Sequence, residues 1–226
     1  MCFYTPKEVL DAITTNPHIK SWLRYISSEY VPPKEKRFLL LYPCSTIKPY
    51  PESRSYRTLF KTLSFISEDR RDKIHLVTVS EPFGLVPEEF YDKFQIWYDC
   101  PGLFEWWCKR HKLAYSEIYL EKCIEILANR VAEFLIRTRE HYTSRVAFVR
   151  TFSSNLERKK DHTHARILEK AVELSGIPVT ILPSKRWIMR VVGSSRKFAW
   201  DMYGVAHPIA QRFLLNFLNN GGLRVQ

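Results

Sequence analysis

Glycine is scarce in this chain, 7 among 226 residues, and no stretch approaches the roughly 18 apolar residues that a membrane span needs. A collagen-like repeat and a transmembrane helix are thereby excluded. The N-terminus, Met1-Cys2-Phe3-Tyr4-Thr5-Pro6, lacks the basic start and long apolar run of a secretory signal. The five cysteines, at 2, 44, 100, 108 and 123, are odd in number and follow no disulfide framework. They read as reduced thiols of a cytoplasmic protein. Acidic residues are in deficit as well, 24 Asp+Glu against 35 Lys+Arg, which leaves +11. What remains, 45% hydrophobic and 26% charged, is the composition of a folded domain large enough for a sizeable core.

The positive charge is unevenly spread. Between Arg137 and Lys197, 14 Lys+Arg face five acids, so this stretch carries +9 of the total. A polyanion such as RNA is the natural partner of such a surface. Arg158, Lys159, Lys160, Lys185 and Arg186 are the residues expected to grip a nucleic-acid backbone. The competing reading is a solvated basic exterior.

Residues 1–33 read as a helical segment and 34–226 as an α/β domain. Thr5-Pro6-Lys7-Glu8 is a capping box with proline at the first helical position, and Asn16-Pro17 starts a second short helix. Beyond the proline-stiffened connector 31–36 come four continuous apolar runs, 38–42, 74–79, 146–149 and 179–182, each suited to a strand buried on both faces. Helical patterns at 56–67, 116–140 and 163–175 alternate with them, the last closed by Gly176. The fold class expected is α/β, with a short parallel sheet of about four strands and right-handed crossovers. Residues 188–192 read as an edge strand and 208–218 as a closing helix. Ligands of such a sheet bind at the carboxyl ends of its strands, which points to the segments 43–56, 80–86, 151–155 and 183–187.

The most distinctive of these is Pro43-Cys44-Ser45-Thr46-Ile47-Lys48-Pro49-Tyr50-Pro51-Glu52-Ser53-Arg54-Ser55-Tyr56. It places a thiol, an amine, phenols and hydroxyls in one proline-stiffened loop. The run P-C-x-x-x-K-P-Y-x-x-S resembles the signature of the archaeosine synthases, archaeal relatives of tRNA-guanine transglycosylases. That signature continues x-x-His, where this chain has Tyr56. Ser80-Glu81-Pro82-Phe83-Gly84-Leu85-Val86-Pro87-Glu88-Glu89 is similar to a second family segment, and Tyr98-Asp99-Cys100-Pro101-Gly102 to a third.

The resemblance implies a three-layer α/β/α sandwich like that of uracil-DNA glycosylases. It also implies tRNA as a partner, with the amino group of free lysine joined to the nitrile of 7-cyano-7-deazaguanine in that tRNA. No cofactor is implied. Full-length members carry a transglycosylase-like barrel and an RNA-binding PUA domain, so this chain is expected to act as one subunit of a split enzyme whose partner chain supplies them.

Adding an amine to a nitrile needs a bound base, a deprotonated amine and a proton donor for the developing imidate nitrogen. The candidate catalytic residues are Cys44, Lys48, Tyr50, Ser53 and Tyr56, and the candidate substrate contacts are Ser45, Ser80, Glu81, Gly84 and Asp99. Cys44 either adds to the nitrile as a transient thioimidate or packs beneath the loop, as free cysteines usually do. Tyr56 removes the one imidazole of the signature. Cys100, Cys108, His111 and the His162-x-His164 pair match no zinc spacing, so no metal is expected. Phe104, Trp106 and Trp107 read as core or as a partner-facing patch, and His207-Pro208 as a helix cap. Two rivals stand beside the synthase reading. One is a non-catalytic RNA-binding or assembly subunit. The other is a nucleobase N-glycosylase, which wants an Asp or Asn in the first strand-end loop, and residues 43–56 hold neither.

Overall fold

The apolar run at Phe38 forms β1 (Phe38–Pro43), the middle strand of a five-stranded sheet in a computed structural model that describes residues 2–92, 100–192 and 197–220. The others are β2 (Ile74–Ser80), β3 (Gly84–Pro87), β4 (Ser144–Phe148) and β5 (Thr180–Leu182), in the order β3-β2-β1-β4-β5. β1 is parallel to β2 and β4, and β4 to β5, with Leu41 level with both Val77 and Ala147. These four are the expected strands. β3 is an addition: it folds back antiparallel on β2, pairing Gly84 with Ser80. Gly84 has φ +69°, a left-handed conformation that its missing side chain tolerates. Leu39, Leu40 and Leu41 are all buried, and each such side chain contributes about 1.5–3 kcal/mol by leaving water.

The helices are α1 (Pro6–Thr15), α2 (Pro17–Arg24), α3 (Arg54–Leu63), α4 (Glu68–Arg71), α5 (Glu105–Arg110), α6 (Glu117–Arg137), α7 (Thr163–Ser175), α8 (Lys185–Val192), α9 (Lys197–Tyr203) and α10 (Pro208–Asn219). Among these described helices none is long and apolar enough to cross a membrane. Their ends follow local chemistry. Thr5 accepts from Glu8 N–H at 3.3 Å while the Glu8 carboxylate accepts from Tyr4 N–H at 2.6 Å. Gly176 takes φ +66° just past α7. His207 caps α10, its Nδ1 accepting from Ile209 N–H at 3.1 Å.

Residues 188–192 correct the expected edge strand: they belong to α8. Ile188, Val191 and Val192 are spaced to bury one helical face. Ser184 caps the start, its Oγ accepting from Trp187 N–H at 3.3 Å.

The chain leaves β1 for β2 through α3, but returns past β1 from β2 to β4 through α6 and continues to β5 through α7. With right-handed crossovers, the two directions of travel put α3 on one face and α6 and α7 on the other. Accordingly α6 packs on α7 and α1, while α3 packs on α10. The result is a three-layer α/β/α arrangement. Its connections leave the neighbouring strands β1 and β4 in opposite directions, which opens a crevice at their carboxyl ends.

Candidate functional site

That crevice holds a cavity of about 160 Å³. Cys44, Ser45, Thr46 and Lys48 enter it from the loop after β1, and Glu81 from the end of β2. His164 comes from the start of α7, and Cys100, Phe104, Trp106 and Trp107 from around α5. Its walls are mainly apolar and aromatic, and its polar groups converge at one end. A larger hollow of about 670 Å³ lies between α1, α2 and α6, but no cysteine, histidine or carboxylate lines it.

The polar end is built from Cys44, Glu81 and His164. His164 Nε2 lies 3.0 Å from Glu81 Oε2 and 3.4 Å from Cys44 Sγ, and Sγ lies 3.7 Å from the same carboxylate oxygen. Thr163 Oγ1 donates to the other carboxylate oxygen at 2.5 Å. Glu81 is almost wholly buried, 3% exposed, so its charge needs compensation in place. Burial alone would raise the Glu81 pKa, but the His164 charge and the hydrogen bonds from His164 and Thr163 hold it below the ordinary carboxylate value. Burial opposes a charged His164 too, yet Glu81 and Cys44 push its pKa well above the ordinary imidazole value. Burial and the nearby Glu81 and Cys44 raise the Cys100 thiol well above its ordinary value.

Eight of the ten expected catalytic and substrate-contact residues fall into two groups. Cys44, Ser45, Lys48 and Glu81 line the cavity; Ser45 Oγ also donates to the Ile47 carbonyl at 2.8 Å. Tyr50, Ser53, Tyr56 and Ser80 are buried and form the floor on which that loop rests. Ser53 is the N-cap of α3, accepting from Tyr56 N–H at 3.2 Å. The Tyr50 and Tyr56 rings stack at 5.3 Å, and Tyr50 OH donates to Ser80 Oγ at 3.2 Å. Tyr56 OH bonds Thr78 Oγ1 at 2.5 Å and donates to the Pro43 carbonyl at 3.3 Å. Gly84 serves the β2–β3 reversal, with Leu23 packed 3.2 Å from where a Cβ would stand. Asp99 lies outside the described residues.

In the sequence the His162-x-His164 pair matches no linear zinc spacing, and nothing nearby marks His164 as a site residue. The signal was positional: it opens the helix that follows β4, on the far side of the crevice from Cys44. It places an imidazole against the thiol of a loop that has Tyr56 where the signature has its histidine. Phe104, Trp106 and Trp107, read as core or patch, are cavity wall.

The basic residues are partly neutralised by acids from outside their stretch. Lys160 pairs with Glu117 at 2.5 Å, Arg150 with Asp201 at 2.9 Å, and Arg166 with Glu121. Arg158 pairs with Glu169 at 2.5 Å, and its guanidinium lies 4.5 Å from the centre of the Phe152 ring. Lys185 Nζ lies 5.7 Å from the same ring. Lys159, Lys185 and Arg186 are exposed. The β4–α7 loop and α8 thus present one basic surface built around Phe152.

A family model described as a domain of unknown function (DUF5591) matches residues 19–170. Archaeosine synthase subunit alpha of Thermococcus kodakarensis is 29% identical over 179 residues, covering 76% of this chain and 27% of that protein. The protein of the same name from Thermoplasma acidophilum is 34% identical over 92 residues, covering 40% of this chain and 17% of its own length. The chain therefore spans about a quarter or less of the curated relatives it matches. Among solved structures, the crystal structure of AF0587, a protein of unknown function, superposes with a TM-score of 0.43 at 16% identity, covering 76% of this chain and 50% of that one.

Proposed function

Because the chain belongs to the DUF5591 family, and two relatives bear the name archaeosine synthase subunit alpha, we propose that it is the base-modifying subunit of an archaeosine synthase. It acts on 7-cyano-7-deazaguanine in tRNA and joins the amine of free lysine to the nitrile. The observation that carries this reading is the convergence of Cys44, Glu81 and His164 at the polar end of the aromatic-walled cavity. Cavities for drug-sized ligands run to roughly 300–1,000 Å³, so about 160 Å³ suits one flipped ring system rather than a whole nucleotide.

The deazaguanine ring enters between the aromatic walls, with its nitrile toward Cys44, Glu81 and His164. Addition forms one C–N bond, breaks one π bond of the nitrile and moves a proton from the amine to the new imidate nitrogen. No leaving group and no oxidant are required. Negative charge develops on the nitrile nitrogen, and a preorganised positive charge at that end of the cavity is what lowers the barrier. Lys48, buried at the cavity wall, contributes positive charge toward the carboxylate of lysine or a phosphate. The basic surface around Phe152 holds the tRNA backbone, and a partner chain supplies the remaining domains.

The test is deletion of the gene, followed by mass spectrometry of nucleosides from digested bulk tRNA. Loss of archaeosine with accumulation of the 7-cyano precursor is the expected result. Unchanged archaeosine overturns the reading and leaves a non-catalytic RNA-binding role.

A further inference from the structure

Cys44, Glu81 and His164 come from three different elements, yet their polar atoms surround one point. The triangle they form has edges of 3.4, 3.0 and 3.7 Å. Its centre lies about 2.0 Å from every corner, and zinc takes nitrogen and oxygen at about 2.0–2.2 Å and thiolate sulfur at about 2.3 Å. An ion slightly above the plane meets all three distances. A nucleophilic Cys–His pair is arranged differently: its orienting group takes one ring nitrogen and leaves the other for the nucleophile. Here the thiol and the carboxylate both approach Nε2, which has at most one proton to offer.

We propose that Cys44, Glu81 and His164 are a three-residue site for a divalent transition-metal ion, zinc first among them, with the fourth coordination position open to the cavity. Charge supports this: an incoming dication displaces the protons of the thiol and the imidazole and balances the thiolate and carboxylate that then face it out of water. Ligand chemistry supports it too, since thiolate with imidazole selects zinc over magnesium or calcium. The supporting shell is present, because Thr163 engages Glu81 Oε1 and leaves Oε2 for the ion. Three protein ligands with one open position is the pattern of catalytic rather than structural zinc. Linear zinc spacings join near neighbours in sequence, whereas these ligands stand 37 and 120 residues from Cys44.

The ion's role rests on the proposed reaction: as a Lewis acid it accepts the nitrile nitrogen and stabilises the charge that develops there, without changing oxidation state. Its binding does not depend on that reaction, so the test reads binding alone. The full chain, free of affinity tags, is stripped with a chelator, dialysed against zinc, and assayed by elemental mass spectrometry. Cobalt(II) is then substituted and its absorption recorded.

Expected are stoichiometric zinc and a thiolate-to-cobalt charge-transfer band. That band should vanish in Cys44→Ser and persist in Cys2→Ser, which removes an exposed thiol. Thr163→Val, which touches the ion only through Glu81, should weaken zinc binding roughly 10–100-fold. A chain that retains no zinc overturns the proposal, as does a charge-transfer band that survives Cys44→Ser. Either failure leaves the gene-deletion result untouched, so the two readings fall separately.

Discussion

The imidazole of His164 lies 3.4 Å from the thiol of Cys44, although 120 residues separate them. β1 and β4 are neighbours in the sheet, and Cys44 follows the first while His164 opens the helix after the second. The fold thereby returns an imidazole to a loop whose signature has exchanged its histidine for Tyr56. If the site works as proposed, His164→Gln should lower amidine formation at least tenfold while tRNA binding stays within about twofold. Single-turnover kinetics with a separate filter-binding measurement divide the two effects. Equal losses in binding and turnover would assign His164 to holding the RNA instead.

Tyr56 sits beneath the loop, fully buried, with its hydroxyl shared between Thr78 and the Pro43 carbonyl. Tyr56→Phe strands that carbonyl, a cost of about 1–3 kcal/mol. Urea unfolding should show a lower midpoint with an unchanged slope. Activity per folded molecule should persist, because Tyr56 does not line the cavity. A variant of unaltered stability without activity would put the phenol in the chemistry.

His162 makes stability depend on pH. Its Nδ1 accepts from Lys159 N–H at 3.2 Å, a bond that protonation destroys. Burial, with the charges of Arg150, Arg158 and Lys159, lowers its pKa from 6.5 to about 4. The unfolded chain therefore binds a proton that the folded chain refuses. Stability from this group is complete above pH 6.5 and is lost as the pH falls toward about 4. The loss is at most about 3 kcal/mol. Denaturation of His162→Asn across this window should give a flatter profile than the parent chain, and a parallel profile would exclude His162 as the source.

The basic surface gives a salt-dependent expectation. Arg158 and Lys185 converge on Phe152, and Arg186 is exposed beside them. Replacing Lys185 and Arg186 with alanine should weaken tRNA binding and reduce the slope of log affinity against log salt by about one per lost phosphate contact. Lys160 is tied to Glu117, so Lys160→Ala should change the slope less. Equal slopes in every variant would place the RNA elsewhere.

What was legible in the sequence follows from where the physics is local. Strands buried on both faces show as continuous apolar runs, and α7 shows from its periodicity and its terminal Gly176, so β1, β2, β4, β5 and α7 were readable. β3 is four residues long with its turn set by one glycine, and α8 hides behind a β-branched pair after Pro183. The signature loop led to Cys44 and Lys48 in the cavity, but it gave no sign that Tyr50, Ser53 and Tyr56 lie beneath them. Nothing local tied His164 to Cys44. That link exists only once β4 is known to pair with β1.

Trp106 offers a test of the cavity itself. It is 51% exposed, lines the opening, and sits 6.3 Å from Phe104 and 6.0 Å from Trp107 between ring centres. An indole left half in water loses little stability when truncated, so Trp106→Ala should move the unfolding free energy by no more than about 0.5 kcal/mol. A base stacked on it would lose about 1–3 kcal/mol of binding. Titration of the parent chain and Trp106→Ala with RNA carrying 7-cyano-7-deazaguanine, and with the same RNA carrying guanine, separates base recognition from backbone binding. The variant should lose the preference for the modified base while keeping the affinity shared by both RNAs. If that preference survives, the base does not enter between these aromatic walls, and the cavity is no longer its pocket.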